Sequence, residues 1–132
     1  MKYFTLRELT ASATASRLGI DNTPPRQAVN NLNALVTHLL DPLREKFGRP
    51  IYVNSGYRCP ELNKAVGGSL TSQHLTGEAA DITAGNKREN RRLYELLQSL
   101  KLPVDQAINE CDYSWIHVSY GPRHRRMYFS LG

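Results

Sequence analysis

Two imidazoles and one carboxylate stand out by type and spacing. The segment Ser72-Gln73-His74-Leu75-Thr76-Gly77-Glu78-Ala79-Ala80-Asp81 sets His74 seven residues before Asp81, with the small residues Gly77, Ala79 and Ala80 between them. Trp115-Ile116-His117-Val118-Ser119 carries a second imidazole on a β-prone run. Two histidines and a carboxylate are the smallest protein set for a catalytic zinc, and they leave a fourth position for water. Nitrogen and oxygen donors suit a borderline cation, whereas a thiolate set would indicate a structural site. Cys59 and Cys111 lack the paired spacing of a zinc ribbon and are too few for a disulfide scaffold. They read as ordinary semi-buried thiols.

The spacing has a physical logic. A loop can carry His74 out and back so that Asp81, on the next strand, faces the same ion. Gly77 permits the close turn, and Ala79 and Ala80 leave room. Strand alternation puts Trp115, His117 and Ser119 on one face. A four-residue hairpin loop over 111–114 would set Glu110 opposite Trp115 and Ile108 opposite His117. Glu110, Ile108 and Gln106 then share the face of His117, with Glu110 a diagonal neighbour of the ion. That is the place for the general base of a metal-activated water. Asp112, in the loop itself, is the competitor. Each residue also has a plainer reading: Asp81 as a turn-former, Glu110 as a solvated charge, Trp115 as core. His38, inside a long helical pattern, and His124, in a basic tail, read as structural or solvent-facing.

The elements that must position these groups are legible from pattern. Thr5 followed by Glu8 predicts a capping box and a short helix over Leu6 to Ser12. Ser12 to Ser16 and Asp21 to Pro25 read as loop. Val29, Leu32, Leu35, Val36, Leu39, Leu40, Leu43 and Phe47 recur at helical spacing, so a helix is expected from Pro25 or Arg26 to Phe47, kinked or broken near Asp41 by Pro42 and capped by Gly48. Ile51 to Val53 is a short strand, Pro60 to Val66 a brief helix, and Ser69 to Gly77 a loop. Ala79 to Thr83 is a strand and Lys87 to Leu100 an amphipathic helix. Strands follow over Asp105 to Glu110 and Trp115 to Tyr120, and a last one over Met127 to Phe129. The class is α+β, with helices covering one side of a small, mostly antiparallel sheet.

Composition sets the outer bounds. The chain has 132 residues, 40% apolar and 22% charged, with 9 Gly and 7 Pro, which excludes wholesale disorder, collagen and coiled coil. The length suits one domain over residues 1–132. No apolar run approaches a membrane span. The net charge of +5 suits an acidic partner. It concentrates in Arg123, Arg125 and Arg126 and in Lys87, Arg88, Arg91 and Arg92. The first eight residues hold no apolar signal core, so synthesis in a cytoplasm is expected.

Taken together, Ser55-Gly56-Tyr57-Arg58, the Ser72-to-Asp81 segment and Trp115-x-His117-x-Ser119 resemble the zinc D-alanyl-D-alanine carboxypeptidase family. That family includes phage endolysins and shares its fold with the hedgehog signalling domain. The resemblance spans about residues 25 to 120. It implies one zinc ion held by His74, Asp81 and His117. It implies that Arg58 faces the substrate and steadies a carbonyl oxygen or carboxylate, with Ser72 lining the site and Tyr57 a substrate-binding residue that packs near the pocket without reacting. Several members carry the catalytic acid three residues before the last ligand, where this chain has Ser114. Glu110 fills that role in the shorter-chain branch that this sequence most resembles.

The implied activity is metal-assisted hydrolysis of amide bonds in peptidoglycan stem peptides or cross-links, with Glu110 as general base and Arg58 at the oxyanion. A monomer acting on the cell wall after phage-like release is the expected setting. The alternative is a cell-wall binding module that keeps the zinc fold without catalysis, which Ser114 motivates. The run Arg123-His124-Arg125-Arg126 suits non-specific contact with nucleic acid, but no recognition motif accompanies it, so no specific nucleic-acid partner is expected.

Overall fold

The structure, a computed structural model, describes residues 1–132. Six helices precede or interleave five strands. Helix α1 (Leu6–Thr10) opens with the expected capping box: the Thr5 hydroxyl accepts from Glu8 N–H, and the Glu8 carboxylate accepts from Thr5 N–H. It ends earlier than predicted. Ser12 caps a second helix, α2 (Ala13–Leu18), where the sequence reading placed a loop. The missed signal was the pair Ser12 and Gly19, an N-cap and a left-handed C-cap six residues apart in helix content.

The long helical pattern is α3 (Arg26–Leu35), one wide π turn (Val36–Leu40) and α4 (Asp41–Phe47) in unbroken succession. Asp41 N–H donates to Val36 C=O, five residues back. Proline at 42 has no N–H to give and its ring would strike the carbonyl four residues earlier. The widened turn takes up that mismatch, so the helix continues instead of breaking. Leu32, Leu35, Val36, Leu39, Leu40 and Leu43 on this rod are almost wholly buried.

Strands β1 (Tyr52–Ser55), β2 (Ala79–Thr83), β3 (Gln106–Glu110), β4 (Trp115–Ser119) and β5 (Met127–Leu131) form one sheet in the order β1-β2-β4-β3-β5. All pairings are antiparallel except β3 with β5. Helix α5 (Pro60–Ala65) follows β1, and α6 (Lys87–Ser99) packs on β4. Alternation divides the sheet. Ala80, Ile82, Ala107, Ile116 and Val118 enter the core with the helices. Asp81, His117, Ile108 and Glu110 point from the other face. The α+β class, with helices on one side of a mostly antiparallel sheet, is the observed architecture. No helix is long and apolar enough to cross a membrane.

Between the two halves of the Ser72-to-Asp81 motif, the chain makes one 3₁₀ turn (Gln73–Thr76) and stops at Gly77. Gly77 has φ +77°, and a Cβ there would lie 2.5 Å from Ala28 O. Both the left-handed backbone and the contact with α3 demand glycine. Gly77→Ala is expected to cost about 2 kcal/mol or more of stability, read from the urea unfolding midpoint. A loss under about 0.5 kcal/mol would mean that the turn relaxes freely.

Candidate functional site

Each side chain of the predicted cluster is set by a different device. Asp81 and His117 are direct cross-strand partners on β2 and β4. Directly opposed residues on one face bring their Cβ atoms to about 5 Å. His74 comes from the 3₁₀ turn and is 2% exposed. Its Nδ1 lies 2.7 Å from Gly56 O, and its own carbonyl accepts from Arg58 N–H at 3.0 Å. A bulge in β1 between Val53 and Ser55 turns the chain toward that contact. Gly56 in turn sits against α1, where a Cβ would lie 2.1 Å from Leu9 O.

The ligand atoms converge. Asp81 Oδ1 is 3.3 Å from His74 Nε2 and 3.1 Å from His117 Nδ1, and the three residues can present atoms that all lie within 4.8 Å of one another. Bonds of about 2.0–2.1 Å at tetrahedral angles separate neighbouring ligand atoms by roughly 3.3 Å. The chemistry of the donors agrees. Gly56 O can only accept, so Nδ1 of His74 carries the ring proton and the neutral ring turns a lone pair toward Asp81. Two acceptors face each other there, an arrangement that a cation resolves. Burial alone would raise the Asp81 carboxyl. The hydrogen bond with His117 leads the effects that outweigh burial and hold it well below the ordinary carboxylate range.

These groups lie in a cleft of about 790 Å³ that also exposes Arg58, Ser72, Glu110 and Trp115. The hairpin register is the expected one, with Glu110 opposite Trp115 and Ile108 opposite His117. Trp115, read as core in its plainer interpretation, is half-buried in the cleft, and its Nε1–H donates to Glu110 Oε2 at 2.9 Å. That bond aims the carboxylate. Asp112 lies apart: its side chain is 84% exposed in the hairpin turn and pairs with Lys87 at 3.8 Å. Ser114 bonds its hydroxyl to Cys111 O.

Arg58 is half-buried, one of its Nη groups is 3.5 Å from Ser72 Oγ, and its Nε is a buried donor with no partner. Burial lowers its pKa, while the charges of Asp81 and Glu110 act in the opposite sense. A guanidinium that lines a cleft is a ready donor to a carbonyl or carboxylate oxygen. Ser72 Oγ also accepts from His74 N–H, tying the arginine to the ligand turn. Tyr57 departs from the expectation of substrate contact. Its ring is 5% exposed in the core and borders only a smaller neighbouring cleft, because β1 exits toward α1 and turns residue 57 inward. His38 and His124 are both exposed and both stack on Tyr120, as surface groups. Cys59 is buried as the N-cap of α5, and Cys111 is exposed.

Sequence reasoning missed a second cluster at the edge of the same cleft. Asp105 is fully buried and takes Arg125 bidentately at 2.8 and 3.0 Å and Gln73 Nε2–H at 2.8 Å. No local spacing links residues 73, 105 and 125, so the sequence holds no signal for it. The Arg125 hydrogen bonds outweigh burial and hold the Asp105 carboxyl well below its usual range. A carboxyl lowered by folding stabilises the protein above the unfolded value of about 3.9 and loses that stabilisation as pH falls. Asp105→Asn is expected to cost about 2 kcal/mol at pH 7, less than a wholly buried pair because Arg125 is partly exposed. The gap between the two proteins should narrow below pH ~4 in denaturation profiles; a constant gap would remove the charge from the explanation.

Comparison with known proteins agrees with the geometry. A stretch of the chain is 44% identical over 62 residues to the zinc D-Ala-D-Ala carboxypeptidase of Streptomyces albus G, covering 46% of this chain and 24% of that protein. The chain thus aligns with about a quarter of that relative's length. The family model described as Peptidase M15 matches residues 2–119, which include four of the five strands and His74, Asp81 and His117, and the chain therefore belongs to the Peptidase M15 family.

Proposed function

We propose that the protein is a zinc-dependent peptidase that hydrolyses amide bonds in peptidoglycan stem peptides or their cross-links. The observation that carries this reading is the convergence of His74 Nε2, Asp81 Oδ1 and His117 Nδ1 in a cleft that also holds Glu110. His74, Asp81 and His117 hold one zinc ion. When bound, zinc polarises a carbonyl and lowers the pKa of a water toward neutrality. Glu110 accepts the proton of the attacking water and returns it to the leaving amine. Trp115 keeps that carboxylate aimed through its indole N–H. Arg58, which lines the cleft, offers guanidinium N–H groups to the oxygen on which negative charge develops. Ser72 positions the guanidinium.

Family membership and the D-Ala-D-Ala carboxypeptidase activity named for the Streptomyces albus G relative support a peptidoglycan peptide as the substrate. The +5 charge suits an anionic wall polymer. Endolysin-like action on the wall belongs to the same reading. The non-catalytic alternative was motivated by Ser114; a carboxylate at Glu110, held in the cleft by Trp115, supports the enzyme instead.

The test separates metal from base. Wild-type protein should carry about one zinc per chain, and His74→Ala should lose both the metal and the cleavage of purified sacculi. Glu110→Gln should retain zinc while kcat falls about 10²- to 10⁴-fold, and Asp112→Asn should stay near wild type. Full cleavage by metal-free protein, or an unimpaired Glu110→Gln enzyme, would overturn the mechanism. Mass spectrometry of the released fragments reports the bond that is cut.

A further inference from the structure

At the end of the cleft away from Glu110, positive charge exceeds negative. Asp105 supplies one carboxylate to two guanidiniums, Arg125 at 2.8 Å and Arg123 at 3.6 Å. Both arginines line the cleft that holds His74 and His117, where one positive charge is left over; Glu78 lines the smaller adjoining cleft with Arg123 and Asp105 and makes no ion pair with Arg123. Arg123 is the more open of the two, with 61% of its side chain exposed. The loop that presents them is tightly held. Arg125 N–H donates to Asp105 Oδ1, Arg126 N–H to Val104 O, and Met127 N–H to Asp105 O. His124 and Arg126 take left-handed backbone, with φ of 43° and 51°, although neither is glycine. Such strain persists only where the surroundings over-determine the conformation. Here the buried carboxylate does so, and it aims two guanidiniums along the cleft wall.

Position gives the ligand. Asp105 precedes Ile108 by three residues, and Ile108 pairs with His117. Three residues of strand span about 10 Å. The terminal carboxylate of a residue being released lies only one residue, about 3.5 Å, from the cleaved bond, so it falls short of the arginines. An extended peptide reaches them with a group two or three residues away. The guanidinium fork matches a carboxylate. Both arginines lie beyond residues 2–119, the stretch that matches the family.

We propose that Arg123 and Arg125, braced by Asp105, form an anion subsite that holds a carboxylate of the bound peptide two to three residues from the cleaved bond. The inference rests on the peptidase reading above, and the experiment keeps the two apart. The probes are the synthetic pentapeptides L-Ala-γ-D-Glu-L-Lys-D-Ala-D-Ala and its D-isoglutamine counterpart, in which an amide replaces one carboxylate. Binding is measured by calorimetry on zinc-loaded Glu110→Gln protein, which prevents turnover. The acid should bind about 10-fold tighter than the amide, as expected for a charge-assisted pair. Adding Arg123→Gln, at an exposed site that leaves the fold intact, should reduce that preference to under about twofold without weakening the amide. Equal affinity for the two peptides, or a preference that survives Arg123→Gln, would overturn the subsite. Hydrolysis of both peptides by the wild type is scored separately. Cleavage without acid preference ends the subsite alone; acid preference in a protein that cleaves neither these peptides nor purified sacculi ends the peptidase reading, and leaves an anion site with no cleaved bond to refer it to.

Discussion

The hydrogen bond from His74 Nδ1–H to Gly56 O, 2.7 Å long and fully inside the protein, is the constraint on which the site depends. It decides which ring nitrogen keeps the proton. The other nitrogen is left facing Asp81 Oδ1 across 3.3 Å with no hydrogen to share. A buried pair of acceptors at that distance is unfavourable unless positive charge lies between them. The backbone around it is arranged to hold this contact. The β1 bulge brings Gly56 in, its missing Cβ lets it lie against Leu9 O, and Arg58 N–H closes the loop on the His74 carbonyl. A change at Gly56 therefore reaches the ligand cluster through the main chain.

The sheet supplies the complementary rigidity. Its period of two sends small and branched residues into the core and polar ones to the other side. Ala80 and Ile82 bury themselves beside Asp81, and Ile116 and Val118 beside His117. Packing of the four neighbours is what fixes the two ligands, because neither can turn without pulling a core residue into water. The same hairpin register that sets His117 opposite Ile108 sets Glu110 opposite Trp115. Glu110 and His117 are thus spaced by strand geometry instead of by a loop.

Charge is graded along the cleft. Asp81 and Glu110 make the ligand end acidic, with Arg58 between them as a half-buried counter-charge. The far end is basic through Arg123 and Arg125. Much of the remaining basic surface is internally matched: on α6, Arg91 pairs with Glu95 and Arg92 with Glu89, and Arg49 also reaches Glu89. Exposed pairs of this kind contribute little stability. Their effect is to leave less free positive charge on the helix than the composition suggests.

Local pattern carried most of the architecture. The capping box at Thr5, the leucine stripe of α3 and α4, the bounds of β2 and the Glu110–Trp115 register were all readable, because each depends on neighbours in sequence. The spacing from His74 to Asp81, with its intervening glycine, made the approach of these two side chains legible for the same reason. Helix α2 was lost to a short segment with weak periodicity, and the Pro42 kink became a π turn because the packed leucines on either side favour an unbroken rod. The aim of Glu110 by Trp115, the inward turn of Tyr57 and the union of Gln73, Asp105 and Arg125 were decided only by tertiary structure. These contacts join residues whose partners are chosen by how strands and loops close in space, and a one-dimensional spacing holds no record of a side chain's direction or burial.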